Sequence, residues 1–212
     1  MSTESALPGH GAAWPVAAAP LEANSARDAR VPGSLPNKAR VAIWWFFASE
    51  ITIFGGFVAC YILYRLAHPE WAHQATHMLR WAGALNTVLL LTSSLTVLLA
   101  HEAAQAKAFG KAGRLVGVTF ALGLAFLGIK GFEWTHEISH GLTPHESLFW
   151  GFYFLGTGLH ALHLIAGLIA LAVVGLAVRR GRNPGRVEIA GMYWHFVDVV
   201  WAVLFPLFYL LS

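Results

Sequence analysis

Five long apolar runs constrain this chain more than any other feature. They cover roughly Val41–Tyr64, Trp81–Ala100, Leu115–Trp134, Ser147–Val178 and Ile189–Leu211. A helix needs about 20 mostly apolar residues to cross the hydrocarbon of a bilayer. Lipid offers backbone groups no hydrogen bonds, so only helices or closed barrels cross it. The apolar residues here are continuous rather than alternating, which selects helices. Composition agrees, with 57% of the 212 residues hydrophobic and only 12% charged. A soluble domain has about a quarter of its residues charged. The expected fold class is therefore an all-α integral membrane protein, a bundle of five transmembrane helices. The fourth run is long enough to tilt or to continue past the membrane.

Residues 1–40 are rich in Ala, Pro, Gly and Ser and carry no apolar period. They read as a disordered or extended tail, and residues 41–212 as the membrane bundle. The Ala17-Ala18-Ala19 stretch is too weak for a signal-peptide core, so the first span is expected to serve as the insertion signal. Cys60, the single cysteine, lies within an apolar run and says little about redox compartment.

The placement of basic residues gives a direction. Arg27, Arg30, Lys38, Arg40, Lys107, Lys111, Arg114, Arg179, Arg180, Arg182 and Arg186 fall on one side of the five spans, Arg65 and Arg80 on the other. The positive-inside rule then puts the N-terminus in the cytoplasm and the C-terminus in the periplasm. The net charge of +3 suits topology and anionic lipid rather than nucleic acid. Trp44 and Trp45 are expected at the inner rim, with Tyr193 and Trp194. Tyr61, Tyr64, Trp81, Trp134, Trp150 and Tyr209 are expected at the outer one. Gly113, Gly117, Ala121 and Ala125 recur every four residues, a stripe on which a second helix can approach closely.

His136-Glu137-Ile138-Ser139-His140 matches H-E-x-x-H, the zinc-protease signature. That chemistry needs both imidazoles on one face of a helix, a glutamate base and a third ligand. The match falls just after the third span, in a loop of about a dozen residues with no room for a substrate cleft. The longer form of the motif fails, with Thr143 and Glu146 where Gly and His are required. A polar loop rich in histidine is the reading adopted, with a zinc membrane protease using His136, Glu137 and His140 as an alternative.

Polar residues inside the spans carry more information. Glu50 lies nine residues into the first span, about 14 Å at the helical rise. A charged acid at that depth costs about 3 kcal/mol. It must face protein, find a partner or stay protonated. Both a role in proton chemistry and a structural anchor remain open for it. Asn86, Thr87, Ser93 and Ser94 read as interhelical hydrogen-bonding groups. Lys130 and Glu133 are spaced i, i+3 for an ion pair. His160 and His163 could bind heme or copper or simply be packed. Glu188, His195 and Asp198 lie in or near the fifth span, the last two at i, i+3. His68, His73 and His77 sit in the first loop, where metal binding stays open.

Several of these pieces together resemble subunit III of the heme–copper terminal oxidases. Tyr193-Trp194-His195-Phe196-Val197-Asp198-Val199-Val200-Trp201 is similar to that family's closing-helix signature. Thr157-Gly158-Leu159-His160-Ala161-Leu162-His163 followed by Gly167 resembles its TGxHxxH…G. Ser49-Glu50 with Phe54 stands in the place of its membrane-buried glutamate. Leu85-Asn86-Thr87 with Ser93-Ser94, and Glu133-Trp134 closing the third span, complete the series in order over residues 41–212. Larger members have seven helices, and this chain resembles the five-helix bacterial type, which lacks the first two. Lys130 stands where many members have Gln, which leaves open a second branch of the superfamily, the accessory membrane protein of nitric oxide reductases.

The resemblance implies a noncatalytic subunit of a cytochrome c or quinol oxidase, an oxidoreductase and translocase that reduces oxygen to water in aerobic respiratory electron transport. It implies the bacterial cytoplasmic (inner) membrane. It implies no cofactor or metal on this chain, with hemes and copper in partner subunits. Subunit I is the expected main partner, alongside other oxidase subunits and structural phospholipids, and no nucleic acid. The implied role is support of proton uptake, stability and lipid or oxygen access. Glu50, His160, His163, Glu188, His195 and Asp198 are expected to form a buried polar network, with Glu50 paired to a histidine of the fourth or fifth span. Asn86, Lys130 and Glu133 are expected to supply interhelical polar contacts.

Overall fold

The computed structural model describes residues 37–74, 78–181 and 185–210. The tail expected over residues 1–40 lies outside them up to residue 36, and residues 37–40 are already helical. The described elements are helices: α1 (Asn37–Ala67), a short α2 (Trp71–Gln74), α3 (Arg80–Gln105), α4 (Phe109–Ser139), α5 (Leu148–Arg179) and α6 (Arg186–Phe205). A π-helical turn, Pro206–Leu210, closes the series. Among the described residues, five helices are long and apolar enough to cross a membrane.

The helix ends follow from local chemistry. At the start of α5, Ser147 Oγ accepts the backbone N–H of Trp150 at 3.4 Å, which satisfies one of the orphan donors of the first turn. At the end of α4, Gly141 sits at φ +81°. Its N–H reaches Ile138 O at 3.0 Å, and the N–H of Leu142 reaches Glu137 O at 3.1 Å. That pairing is a Schellman stop, which glycine accepts without a Cβ clash. The same pattern ends α3, with Ala108 N–H on Ala103 O and Lys107 N–H on Ala104 O. There the left-handed position is Lys107, at φ +59°. Pro206 has no N–H to donate to α6, and from that residue the chain takes a π turn.

The stop at Gly141 corrects the third span. The helix runs beyond Trp134 to Ser139, so four of the five HEISH residues belong to its last turn rather than to a loop. Hydropathy marks where lipid ends, and a polar helix end continues past that point until a backbone signal stops it.

Helices α3, α4, α5 and α6 form a closed ring. The α3–α4 interface is the most extensive, followed by α4–α5, α5–α6 and α3–α6. Helices α3 and α6 run antiparallel: Trp194 meets Ser93 and Trp201 meets Thr87, so a step back along α3 is a step forward along α6. Each indole N–H donates to a hydroxyl, at 2.9 and 3.1 Å. Indole rings bury a large apolar area yet need one polar partner, and the hydroxyls supply it.

Helix α1 stands apart from the ring. Its backbone approaches α6 at few points, and aromatic side chains bridge the gap. Phe47 stacks on Phe196 with centroids 5.1 Å apart, Phe46 meets Tyr193 at 5.8 Å, and Tyr61 meets Phe208 edge-on at 5.0 Å. Phe57 fits against Gly156, where an added Cβ would lie 2.6 Å from its ring.

Tyr61, Trp150, Trp194 and Tyr209 are buried inside the protein, whereas Trp44, Trp45 and Trp81 are exposed. One expectation about small residues changes, since the stripe does not run as one interface. Gly113 and Gly117 face Arg179 of α5, but Ala121 and Ala125 are exposed. Each four-residue step turns about 40° around a helix of 3.6 residues per turn, so the stripe rotates off the contact. Gly123 takes over, packed against Trp194 and Leu168.

Candidate functional site

The first polar group lies between α1 and α5. Glu50 is buried, and its Oε2 is 3.1 Å from His163 Nε2. The distance suits a hydrogen bond but the angle does not, and Oε2 has no aligned partner among the described residues. His163 Nδ1 lies 2.8 Å from Leu159 O, and a carbonyl can only accept. Nδ1 therefore carries a hydrogen. That leaves Nε2 as the nitrogen beside the Glu50 carboxyl. Tyr193 donates to His163 O at 3.0 Å, and Phe54 closes on the imidazole at 5.4 Å.

The six residues expected to form one buried network do not gather in one place: Glu50 meets His163 of the fourth span, and Glu188 and His195 line one cavity. His160 turns away from His163 into a slot between Phe126 and Trp201, with centroids 5.5 and 5.3 Å away. Neither of its nitrogens has a hydrogen-bond partner among the described residues. His195 Nδ1 lies 2.6 Å from Ser94 Oγ. Glu188 and His195 line a small cavity of about 200 Å³ with His101. Asp198 is buried beside Ser94, and its two carboxylate oxygens make no aligned hydrogen bond among the described residues. The i, i+3 spacing that pairs Lys130 with Glu133 thus leaves His160 and His163 with different neighbours.

The densest cluster joins α4, α5 and the π turn. Lys130 Nζ donates to Glu133 Oε2 at 3.1 Å, to the Tyr153 hydroxyl at 2.8 Å and to the Tyr209 hydroxyl at 2.7 Å. Tyr209 donates to Glu133 Oε1 at 2.5 Å, and Tyr153 donates to Glu137 Oε1 at 2.9 Å. All five residues are essentially inaccessible. The Lys130 ammonium also lies 4.6 Å from the centre of the Tyr153 ring, within cation–π range. Sequence reasoning found Lys130 and Glu133 but missed three members. Glu137 was absorbed into HEISH, although residues 130, 133 and 137 follow the i, i+3, i+7 spacing of one helix face. Tyr153 and Tyr209 carried no such signal.

HEISH itself is split by the helix. Glu137 turns inward to Tyr153, while His140 is exposed with its ring centroid 4.3 Å from that of His136. His140 Nδ1 is 2.8 Å from His136 O. Among the described residues, no group of three or more His, Cys, Asp or Glu side chains is arranged to hold a metal ion. In the first loop, His68 Nδ1 lies 2.8 Å from Glu70 Oε1. Backbone hydrogen bonding, then His68, hold the exposed Glu70 carboxyl below its usual range. Of the other loop histidines, His77 lies outside the described residues, as does the side chain of His73.

The hydroxyls of α3 act as interhelical donors and acceptors. Thr87 accepts from Trp201, Ser93 accepts from Trp194, and Thr96 meets Thr119 of α4 at 2.8 Å. Asn86 is fully buried, and its amide has no partner among the described residues.

Comparison with known proteins adds the family. A family model described as cytochrome c oxidase subunit III matches residues 37–212. The chain is 32% identical over 175 residues to cytochrome c oxidase subunit 3 of Thermostichus vulcanus, covering 79% of this chain and 84% of that one. It is 32% identical over 174 residues to cytochrome bo(3) ubiquinol oxidase subunit 3 of Pseudomonas aeruginosa, covering 80% and 83%. It is 30% identical over 187 residues to a heme-copper oxidase subunit I+III of Aeropyrum pernix, covering 82% of this chain and 23% of that protein. The match takes in every described helix, and the chain belongs to the cytochrome c oxidase subunit III family.

Proposed function

We propose that this chain is the noncatalytic subunit III of a bacterial heme–copper terminal oxidase, docked on subunit I in the cytoplasmic membrane. Its N-terminus is cytoplasmic and its C-terminus periplasmic. It keeps proton uptake, complex stability and lipid or oxygen access working for a redox centre held by its partner. The observation that carries this reading is the family match across the whole helical region. The subunit I+III relative, in which both parts share one polypeptide, supports subunit I as the main contact.

The geometry supports individual parts of the role. The contact between Glu50 and His163 joins α1 to α5 at mid-bilayer depth. A groove of about 770 Å³ between α1, α5 and α6 is lined by Phe46, Ala166, Ala170, Val174 and Tyr193, with Arg186 also on its wall. An acyl chain with a phosphate at Arg186 suits that lining. The hemes and copper of the complex belong to partner subunits in this reading, and this chain supplies packing, proton-holding carboxyls and lipid contacts.

The test is recovery of the full chain with its partners in mild detergent, followed by a heme spectrum of the complex. Co-purification with an oxygen-reducing heme–copper subunit is the expected result. Co-purification with a nitric oxide reductase would favour the accessory-protein branch instead. Recovery of the chain free of any heme protein would sink the proposal. Labelling of Glu50 by an apolar carbodiimide separately tests whether that acid is protonated in lipid.

A further inference from the structure

The hydrogen count of the Lys130 cluster leaves one atom over. Lys130 has three N–H bonds, and they go to Glu133, Tyr153 and Tyr209. The single hydroxyl hydrogens of Tyr209 and Tyr153 go to Glu133 Oε1 and Glu137 Oε1. Every donor in the cluster is used. Glu137 Oε2 alone receives nothing from the described residues, although it is buried.

Charge points to the same atom. With both carboxyls ionised, one ammonium faces two carboxylates in a dry site, and an excess buried charge costs several kcal/mol. Glu133 accepts from both the ammonium and Tyr209, so it is the carboxylate that the cluster stabilises. Glu137 has only the Tyr153 hydroxyl. A proton on Glu137 Oε2 makes the cluster neutral and disturbs none of the five bonds.

We propose that Glu137 is a proton-binding site, its Oε2 carrying a dissociable hydrogen inside a neutral cluster made with Lys130, Glu133, Tyr153 and Tyr209. Glu137 lies in the last turn of α4, two residues before its end at Ser139. Its neighbours His136 and His140 are half-buried and exposed, so the protein surface, where water can reach this polar helix end, is within one helical turn. On release, the O–H bond of Oε2 breaks, its electron pair stays on the carboxylate, and the proton passes to that water. Uptake reverses the step. Ionised Glu137 keeps the Tyr153 hydrogen bond, which strengthens with the charge, so the site exchanges a proton without unpacking.

The experiment is infrared difference spectroscopy through a pH titration of the full chain in its complex, in light and heavy water, with carboxyl-labelled glutamate. The wild type is expected to show a carboxylic-acid C=O band that moves on glutamate labelling, which sets it apart from Asp198. That band should vanish in Glu137→Gln. It should also rise in frequency in Tyr153→Phe, because the C=O at Oε1 loses its donor. A band unchanged in Glu137→Gln would overturn the proposal. So would a band that ignores Tyr153→Phe but moves in Tyr209→Phe, since the proton would then sit on Glu133. If Glu137→Gln does not assemble, Glu137→Asp must move the band out of the glutamate-labelled set, and its failure to do so is equally fatal.

Discussion

The Trp194 indole donates to Ser93 Oγ at 2.9 Å, while the far edge of the same ring fills the space beside Gly123. One side chain thus couples α6 to α3 through a hydrogen bond and to α4 through close packing. Ser93→Ala should destabilise the chain by about 1 kcal/mol, the scale of interhelical hydrogen bonds in membranes. A double-mutant cycle with Trp194→Phe, read by unfolding in mixed detergent, should show positive coupling. Coupling of zero would mean that the bond contributes nothing.

Gly123 should be far less replaceable than its helix neighbour Gly128. A Cβ on Gly123 would lie 2.7 Å from Trp194 and 2.8 Å from Leu168, whereas Gly128 has nothing within 4 Å. Overpacking costs about 1–3 kcal/mol, so Gly123→Ala should lower the thermal midpoint of the purified protein. Gly128→Ala should hold or raise it, since alanine is favoured over glycine in a helix by about 1 kcal/mol.

Lys107 occupies the left-handed position that ends α3. A side chain there costs about 1–2 kcal/mol, and glycine returns part of that gain as extra freedom in the unfolded chain. Lys107→Gly should therefore stabilise by about 0.5–1 kcal/mol. Denaturant titration of the two proteins in one detergent checks the sign.

Removing the ammonium of the inner cluster should do more damage than removing it together with its carboxylate. Lys130→Met strands Glu133 in a dry site, at a cost of about 3–5 kcal/mol. Adding Glu133→Gln to Lys130→Met should recover much of the lost yield and stability. Equal loss in the single and double variants would show that the charge pair is not what the site depends on.

Glu50→Ala should loosen α1 by about 1 kcal/mol, since the polar tie to His163 is one contact among aromatic ones. Faster proteolysis within α1, with the other helices spared, is the expected readout. Unchanged assembly, turnover and pumping would leave Glu50 with no supporting role.

Much of the fold was legible because lipid imposes its own length on an apolar run. The expected span of Ser147–Val178 lies one residue from the observed Leu148–Arg179. The third span is the instructive miss, since its helix runs on through Glu137 until Gly141 stops it. Polarity marks the end of lipid, not the end of a helix. The site was harder to read. Glu50 and Lys130 stood out because a charge is conspicuous in an apolar run. Tyr153 and Tyr209 did not: Tyr209 reads as a membrane-rim residue whether it faces lipid or the interior, and Tyr153 carries no charge to mark it within its apolar run. Which of two faces is inward depends on the neighbouring helices, and the spacing within one helix does not specify them.

The aromatic bridge between α1 and the four-helix ring has a consequence for biogenesis. Helix α1 leaves the ribosome ahead of the other long helices described, yet the surfaces it leans on belong to α5 and α6, which are made last. Its seat does not exist until synthesis is nearly over. Until then it must wait in the bilayer as a lone greasy rod, open to capture by insertion factors, so mutations that delay the closing segments should expose the opening one to degradation first.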